Sequence, residues 1–371
     1  MNRIKVVHLT SAHDRYDTRI FLKMCKSLNK ANFDVSLVVS DGKDSECSDG
    51  VNVYNVGNRP GSRLERMSKT VKSVYLKALS LDANIYHLHD PELIPIGLKL
   101  KKLGYKVIFD AHEDLPKQLR SKPYLNYFLK KSLPLIFELY EKYSFRKFDA
   151  LIGATEAISL KLGGINKRTV TINNYPIIGE LSLPGDNTVK LNEVCYLGGI
   201  SEIRGIREVV KSLHYSSGAR LNLAGKFNDS NLESEVALYP EWISVNKLGF
   251  INRKESAEVL NRSQAGIVTF HSVPNHVDAQ PNKMFEYMSA GLPLIASNFP
   301  LWKEIVEGNN CGICVDPLSP EEIGEAISFI VNNPLEAKKM GNNGYNSVLS
   351  KYNWAVEELK LIKLYKDLVS L

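Results

Sequence analysis

The 371 residues contain no apolar stretch near the roughly 18 that a spanning helix needs, and the start MNRIKVVHLTSAHD lacks the apolar core of a signal peptide. A cytoplasmic protein is expected. Cysteine is scarce. Five in so long a chain, an odd number, exclude a secreted disulfide framework. Cys311 and Cys314 form a lone CxxC with no second pair or histidine pair to complete a zinc set, so they read as structural residues entering a strand. No repeat of 20 to 50 residues and no low-complexity tract is present. What remains is ordinary globular composition, 44% hydrophobic and 24% charged, long enough for two domains with full cores. Lysine and arginine number 47 against 41 acids, a net charge of +6 whose meaning depends on where it sits.

Short apolar runs alternate with amphipathic ones in two series, the pattern of β-α-β units around parallel sheets. KVVHLT, VSLVVS, NIYHLH, KVIFDAH and DALIGAT are the strands of the first series, with a helix expected from Ile20 to Lys30. From KRTVTINNYPII onward periodicity fades and Pro, Gly and Asn gather, as in a linker. EVCYLGG, ARLNLAG, ISVNKLGF, AGIVTF, PLIAS and GICVDP then supply a second series. The expected layout is an amino-terminal domain over residues 1–170, a linker over 171–190, a second domain over 191–350, and a final helical stretch over 351–371 that packs back on the first domain. The fold class is α/β, two doubly wound Rossmann-like domains facing a central cleft.

The most informative stretch is DAQPNKMFEYMSAGLPLIAS, residues 278–297. Asn282 suits an N-cap, Lys283 to Ala290 fits two helical turns, Gly291 suits the C-cap and Pro293 blocks continuation. Lys283 stands in the first turn, where the helix dipole disfavours a cation. An anion such as a diphosphate would remove that conflict, since helix amides and a lysine both bind phosphate. Glu286, one turn on, suits the paired hydroxyls of a sugar. On local chemistry alone, a solvated lysine and a surface glutamate are equally good readings.

Asp278 and Glu286, with seven residues between them and YMSAGLPLIAS after, resemble the Glu-x7-Glu region of retaining GT-B glycosyltransferases, specifically glycosyltransferase family 4. CYLGGISEIRGIREVV is similar to that family's strand, glycine turn and basic-glycine pair; YHLHDPELIPIGL and VIFDAHED are similar to its amino-terminal domain. HLTSAHDRYDTRIF looks like the opening of a branch that assembles bacterial polysaccharide such as O-antigen. The resemblance covers nearly the whole chain. It implies Glu286 on the nucleotide ribose, Asp278 beside the donor sugar, Arg204 and the Gly198–Gly199 turn at the diphosphate, and His112 near the reacting carbon. Gly199 stands where many relatives carry arginine, and Lys283, after Asn282, would replace that charge. The implied activity is transfer of a hexose-type sugar, with retention, from a nucleotide diphosphate sugar to a hydroxyl of a lipid-linked saccharide. UDP is the commonest nucleotide in the family, which uses no bound catalytic metal and no further cofactor. Two other readings are an epimerase of the same fold and a catalytically silent binding protein at a membrane surface.

His87, His89, Asp90, Asp110, His112 and Glu113 are dense enough to suggest a metal site, with His87 and His89 on one strand face and Asp110 and His112 on another. Asp90 reads equally as a helix cap and His89 as a structural residue of a strand end; the expected metal is none. The loop TSAHDRYDTR has no glycine, so close main-chain approach to a phosphate is harder there. Arg15 and Arg19 either reach a donor or acceptor phosphate through their side chains, or Asp17 and Arg19 cap and pair at a helix start. The window from Lys117 to Phe148 holds eight basic residues against Glu138 and Glu141, as much as the whole net charge, interleaved with Tyr124, Tyr127, Phe128, Phe137, Tyr140, Tyr143 and Phe145. Basic residues among aromatics suit an anionic lipid surface, which makes the protein peripheral on the inner face of the cell membrane. Without a recognition motif, nucleic acid is not an expected partner.

Overall fold

The computed structural model describes residues 3–120, 126–181 and 190–370, with only the backbone of residue 127. It divides into two units, residues 1–174 with 355–371, and residues 175–354.

The first unit is built on an eight-stranded sheet: β1 (Lys5–Leu9), β2 (Asp34–Val39), β3 (Glu46–Ser48), β4 (Val51–Asn55), β5 (Ile85–Leu88), β6 (Lys106–Ala111), β7 (Ala150–Gly153) and β8 (Thr169–Thr171). The order is β3-β4-β2-β1-β5-β6-β7-β8, parallel except for the β3–β4 pair. β5 and β7 are buried throughout, which is why β7 (ALIG) appears in sequence as a continuous apolar run, while β5 (IYHL) is apolar but for His87. Chain direction across the sheet reverses between β1 and β5, and loops after those strands meet at that switch point. Asp17 caps the following helix by accepting from the amides of Arg19 and Ile20. That helix is π-wound over Thr18–Cys25 and becomes α-helical only at Lys26–Lys30, a departure from the single α-helix that the spacing predicts. The three-residue β3 and β8 carry no readable alternation, and β8 falls where periodicity fades, while β4 (VNVYN) does alternate, burying Val51 and Val53, and escapes the sequence reading all the same. Helix Trp354–Val369 contributes the fully buried Tyr365 to this unit.

The second unit has six parallel strands: β9 (Glu193–Leu197), β10 (Arg220–Ala224), β11 (Val245–Gly249), β12 (Ala265–Val268), β13 (Leu294–Ser297) and β14 (Gly312–Val315), in the order β11-β10-β9-β12-β13-β14. This is a doubly wound sheet with its switch point between β9 and β12. Apolar layers cover both faces, one around Met284, Tyr287 and Trp302, the other around Ile206, Val210 and Ile327. The cysteines are free; Cys311 is buried, hydrogen-bonds the Val306 carbonyl at 3.3 Å, and burial pushes its thiol up to about 12.

Candidate active site

In the second unit the chain leaves β9 through Gly198 and Gly199, makes a 3-10 turn at Glu202–Arg204 and enters helix Ile206–Ser212 through Gly205. Gly205 has φ +74°, and a Cβ there would stand 2.1 Å from the Thr269 carbonyl oxygen, so glycine is required. Arg204 is half-buried, donates to the Gly199 carbonyl at 3.0 Å and lies 5.3 Å from the Phe270 ring centroid.

Helix Asn282–Ser289 sits beside this turn. Its Tyr287 hydroxyl accepts from the Leu197 amide at 2.8 Å, in a space that Gly266 leaves open: a Cβ at Gly266 would come within 2.2 Å of the Tyr287 ring. The N-cap position is Pro281, not Asn282, whose place is the first helical residue; no side chain caps this end, because proline at the cap has no oxygen to offer. The C-cap is likewise Ala290, and Gly291 follows with φ +67°.

Lys283 runs along Gly198, where a Cβ would stand 3.6 Å from its Cε, and its Nζ lies 2.7 Å from Glu286 Oε2. The dipole conflict at this helix start is therefore met within the chain by Glu286. Arg253, which sequence reasoning missed, donates from Nη1 to Glu286 Oε1 at 2.7 Å and from Nε to Glu180 Oε1 at 2.8 Å. It opens helix Arg253–Arg262 behind an Asn252–Glu255 capping box, and nothing local signals where its side chain goes. Burial opposes the Glu286 charge, but Lys283 and Arg253 outweigh it and hold the carboxyl below its ordinary value. Asp278 is exposed, as is Asn282; Asp278 follows the short helix Pro274–Val277.

At the switch point of the first unit, four elements and the loop after β5 contribute polar groups to one buried network. His8 comes from β1, His87 from β5, His89 from just beyond it, Asp110 from β6 and Tyr365 from the last helix. His112 lies two residues past Asp110, its Nε2 3.0 Å from Asp110 Oδ2. Arg19 is buried and clamps Asp110 through Nη2 to Oδ1 at 2.7 Å and Nε to Oδ2 at 2.8 Å. Burial works against the Asp110 charge, yet Arg19 and His112 keep it ionised well below the carboxylate range. Arg15 is held by Asp41 at 2.6 Å and Glu46 at 2.6 Å. Both guanidiniums are thus committed to carboxylates, and a phosphate contact by either would have to break those pairs; Asp17 does cap, but Arg19 pairs with Asp110 instead. Asp90 occupies the N-cap position of a 3-10 turn without capping it. Its Oδ2 accepts from Thr10 Oγ1 at 2.7 Å and the Ser11 amide at 2.7 Å, while Oδ1 faces His13 Nδ1 at 3.1 Å, tying the glycine-free loop to β5.

Among the described residues, two sets of three groups have ligand atoms close enough for a metal ion: His8, His87 and His89, and His89, Asp110 and His112. In the second, Asp110 already neutralises Arg19, which leaves little charge for a cation. His8 and Tyr365 escaped sequence reasoning because both look like ordinary core positions of their elements.

Residues 18–174 match Glycosyltransferase Family 4, and residues 185–347 match Glycosyl transferases group 1. An uncharacterised glycosyltransferase of Methanocaldococcus jannaschii is 22% identical over 290 residues, 74% of this chain and 70% of the relative. Among solved structures, sucrose-phosphate synthase of Thermosynechococcus elongatus aligns at 18% identity with a TM-score of 0.80, over 99% of this chain and all of the other. HepE of Anabaena, solved with UDP-glucose, aligns at 13% identity with a TM-score of 0.74 over the whole of both chains.

Proposed function

The chain belongs to the GT-B glycosyltransferases of the family 4 type, and from that premise we propose that it transfers a hexose-type sugar from a nucleotide diphosphate donor, UDP being favoured, to a hydroxyl of a lipid-linked saccharide in surface polysaccharide synthesis. The observation that carries this reading is the grouping of Lys283, Glu286 and Arg253 beside the Gly198–Gly199 turn at the switch point of the second unit.

The energetic difficulty of glycosyl transfer is the charge that builds on the departing diphosphate. Arg204 and Lys283 are placed to stabilise it, with the uncapped amides of helix Asn282–Ser289 adding their dipoles. Glu286 Oε2 is occupied by Lys283 in the free protein. A diphosphate would exchange that pair for a lysine–phosphate pair and release the oxygen to accept from a ribose hydroxyl. The sugar C1–O bond to the diphosphate then breaks as the acceptor oxygen bonds to C1 on the same face; the acceptor proton passes to a phosphate oxygen. The configuration is retained. Asp278 orients the donor sugar and His112 accepts from a saccharide hydroxyl, neither acting as a covalent nucleophile, and no metal or further cofactor takes part.

Helix Tyr127–Phe145 supports attachment to an anionic bilayer, peripheral on the inner face of the cell membrane. Phe128, Leu135, Ile136, Leu139 and Tyr143 form an exposed stripe, Phe128 at 80% and Leu139 at 70%, with the exposed Lys142, Arg146 and Lys147 beside it. The aromatic residues of the basic window split: Phe145 and Phe148 are buried against Phe109, so aliphatic side chains carry much of the outer face. Lys122, Tyr124 and the Tyr127 side chain lie outside the described residues. Among the described residues no helix is long and apolar enough to cross a membrane.

The test is incubation of purified protein with labelled UDP-, GDP- and dTDP-sugars, with and without lipid-linked acceptor. Transfer that needs the acceptor is the expected result. A donor sugar altered without acceptor would indicate epimerisation, and an unchanged donor under every condition a silent binder; either would refute the reading.

A further inference from the structure

Proton positions in the network of the first unit follow from hydrogen-bond bookkeeping that starts at Asp110. An ionised carboxylate only accepts. His89 Nδ1 at 3.3 Å and His112 Nε2 at 3.0 Å both face Asp110 Oδ2, so each of these nitrogens carries a hydrogen. Burial and neighbouring charges keep the His8, His87 and His89 rings neutral: His89 is lowered to about 4, the other two well below their ordinary value. A neutral imidazole has one N–H, so His89 Nε2 is bare.

The 2.9 Å bond between His8 Nδ1 and His89 Nε2 must then take its hydrogen from His8. That leaves His8 Nε2 bare, facing the Tyr365 hydroxyl at 3.4 Å, which donates to it. The Tyr365 oxygen in turn accepts from His87 Nδ1 at 2.7 Å. The chain ends there and predicts that His87 Nε2 is a lone pair without a donor. His87 Nε2 is a buried ring nitrogen with no partner, a place that suits a bare lone pair better than a stranded N–H. An acceptor left without a partner is the less costly kind of orphan.

We infer that Asp110, clamped by Arg19, is a positioning residue that fixes His112 as its Nε2–H tautomer and leaves Nδ1 bare to accept from a hydroxyl of the saccharide substrate, with the chain from His87 through Tyr365, His8 and His89 converging on the same carboxylate. Its substrate half rests on the reading that His112 meets a sugar. The geometry suits that role. His112 is the partly exposed member of the network, with 22% of its side chain accessible, whereas the rings behind it are sealed. The hydroxyl-bearing ligand meets a ring that cannot flip without losing Asp110, and His13, 5.0 Å away between ring centroids and paired with Asp90, flanks it on the loop side.

The experiment is 15N NMR of the histidine-labelled full chain, well above the ordinary imidazole pKa of about 6.5, with donor and acceptor kinetics of Asp110→Asn and His112→Ala. Ring-nitrogen shifts should show His112 bare at Nδ1, and His8, His87 and His89 bare at Nε2. Asp110→Asn, with its fold verified by circular dichroism, should mix the His112 tautomers and lower kcat by about 10- to 100-fold while KM stays within about twofold. A His112 ring bare at Nε2, or an equimolar zinc ion bound to the His8, His87 and His89 nitrogens, overturns the inference in the wild-type protein alone, whether or not the Asn variant folds. Asp110→Asn with unchanged tautomer and turnover also overturns it. If His112→Ala keeps full turnover, the sugar contact of His112 falls, while the tautomer pattern stands or fails on its own spectrum.

Discussion

Arg253 donates to Glu286 Oε1 at 2.7 Å from a helix that begins 33 residues earlier in the chain, and so fixes the orientation of the carboxylate expected on the donor ribose. Glu180 holds the other side of the same guanidinium. The carboxylate direction is therefore set before any ligand arrives.

Replacing Arg253 by alanine should remove the charge-assisted hydrogen bond that orients Glu286, about 1.5 to 3 kcal/mol, together with the pair to Glu180, and lower kcat/KM for the nucleotide sugar by about 10- to 100-fold. Glu286→Ala should abolish transfer with only a modest fall in Tm, because Arg253 keeps Glu180 and Lys283 reaches water. Steady-state kinetics and thermal melts read both. Full activity of Glu286→Ala would remove this residue from the donor site.

The buried histidines make the protein acid-labile from an unusually high pH. Burial lowers His8 and His87 well below 6.5, and His89 to about 4. In the unfolded chain all three titrate near 6.5. Between those values the unfolded state binds protons that the native state refuses, so stability rises with pH through this window and falls on acidification. His89 alone accounts for on the order of 3 kcal/mol between pH 6.5 and 4. His13, raised by Asp90 against the effect of its burial, works in the opposite sense: its contribution is complete below 6.5 and is lost as pH rises through its folded value. Asp110 adds stability above the carboxylate range only. Urea midpoints should therefore fall between about pH 6.5 and pH 5, with a slope that steepens past about one proton as the unfolded histidines charge; a flat profile would contradict the neutral buried rings.

Much of the architecture is legible in sequence because buried parallel strands are continuous apolar runs, as in LIAS of β13 and ALIG of β7. The three-residue strands β3 and β8 are too short to show any period. At the site, Gly205 and Glu286 stand in local motifs, and it is the resemblance of those motifs to the family that picks them out. Arg253 and Tyr365 cannot, since each reaches its partner only through the tertiary fold: Tyr365 meets His87 across 278 residues. The helix starts one residue earlier than the capping preference of Asn282 suggests, with Pro281 at the cap position and Asn282 inside the first turn.

Gly205 provides a sharp test of the turn that carries Arg204. Alanine there needs φ +74° and a Cβ 2.1 Å from the Thr269 backbone oxygen, which cannot retreat without moving the chain beyond β12. Gly205→Ala should cost about 2 kcal/mol or more and displace Arg204, lowering donor affinity as well as Tm. Gly218, also at positive φ, has open space around the added atom. Gly218→Ala should cost only about 1 kcal/mol and leave donor affinity unchanged. Equal effects at the two positions would mean that backbone strain, not the Thr269 contact, sets the turn.

The exposed stripe on helix Tyr127–Phe145 separates lipid binding from folding. Leu135 is 56% exposed and Leu139 70%, so replacing both by serine removes little native packing and should leave Tm within a few degrees. Each leucine inserted in the interface is worth about 1.5 kcal/mol, and the double variant should bind anionic vesicles about 100-fold more weakly. Lys142→Glu with Arg146→Glu should weaken binding by about 1 kcal/mol per lost cation, an effect that disappears in high salt while the leucine effect persists. Co-sedimentation with phosphatidylglycerol vesicles at two ionic strengths distinguishes these contributions. Vesicle binding unchanged in both double variants would return the basic window to a solvated surface, and would leave sugar transfer to a soluble acceptor as the activity to pursue.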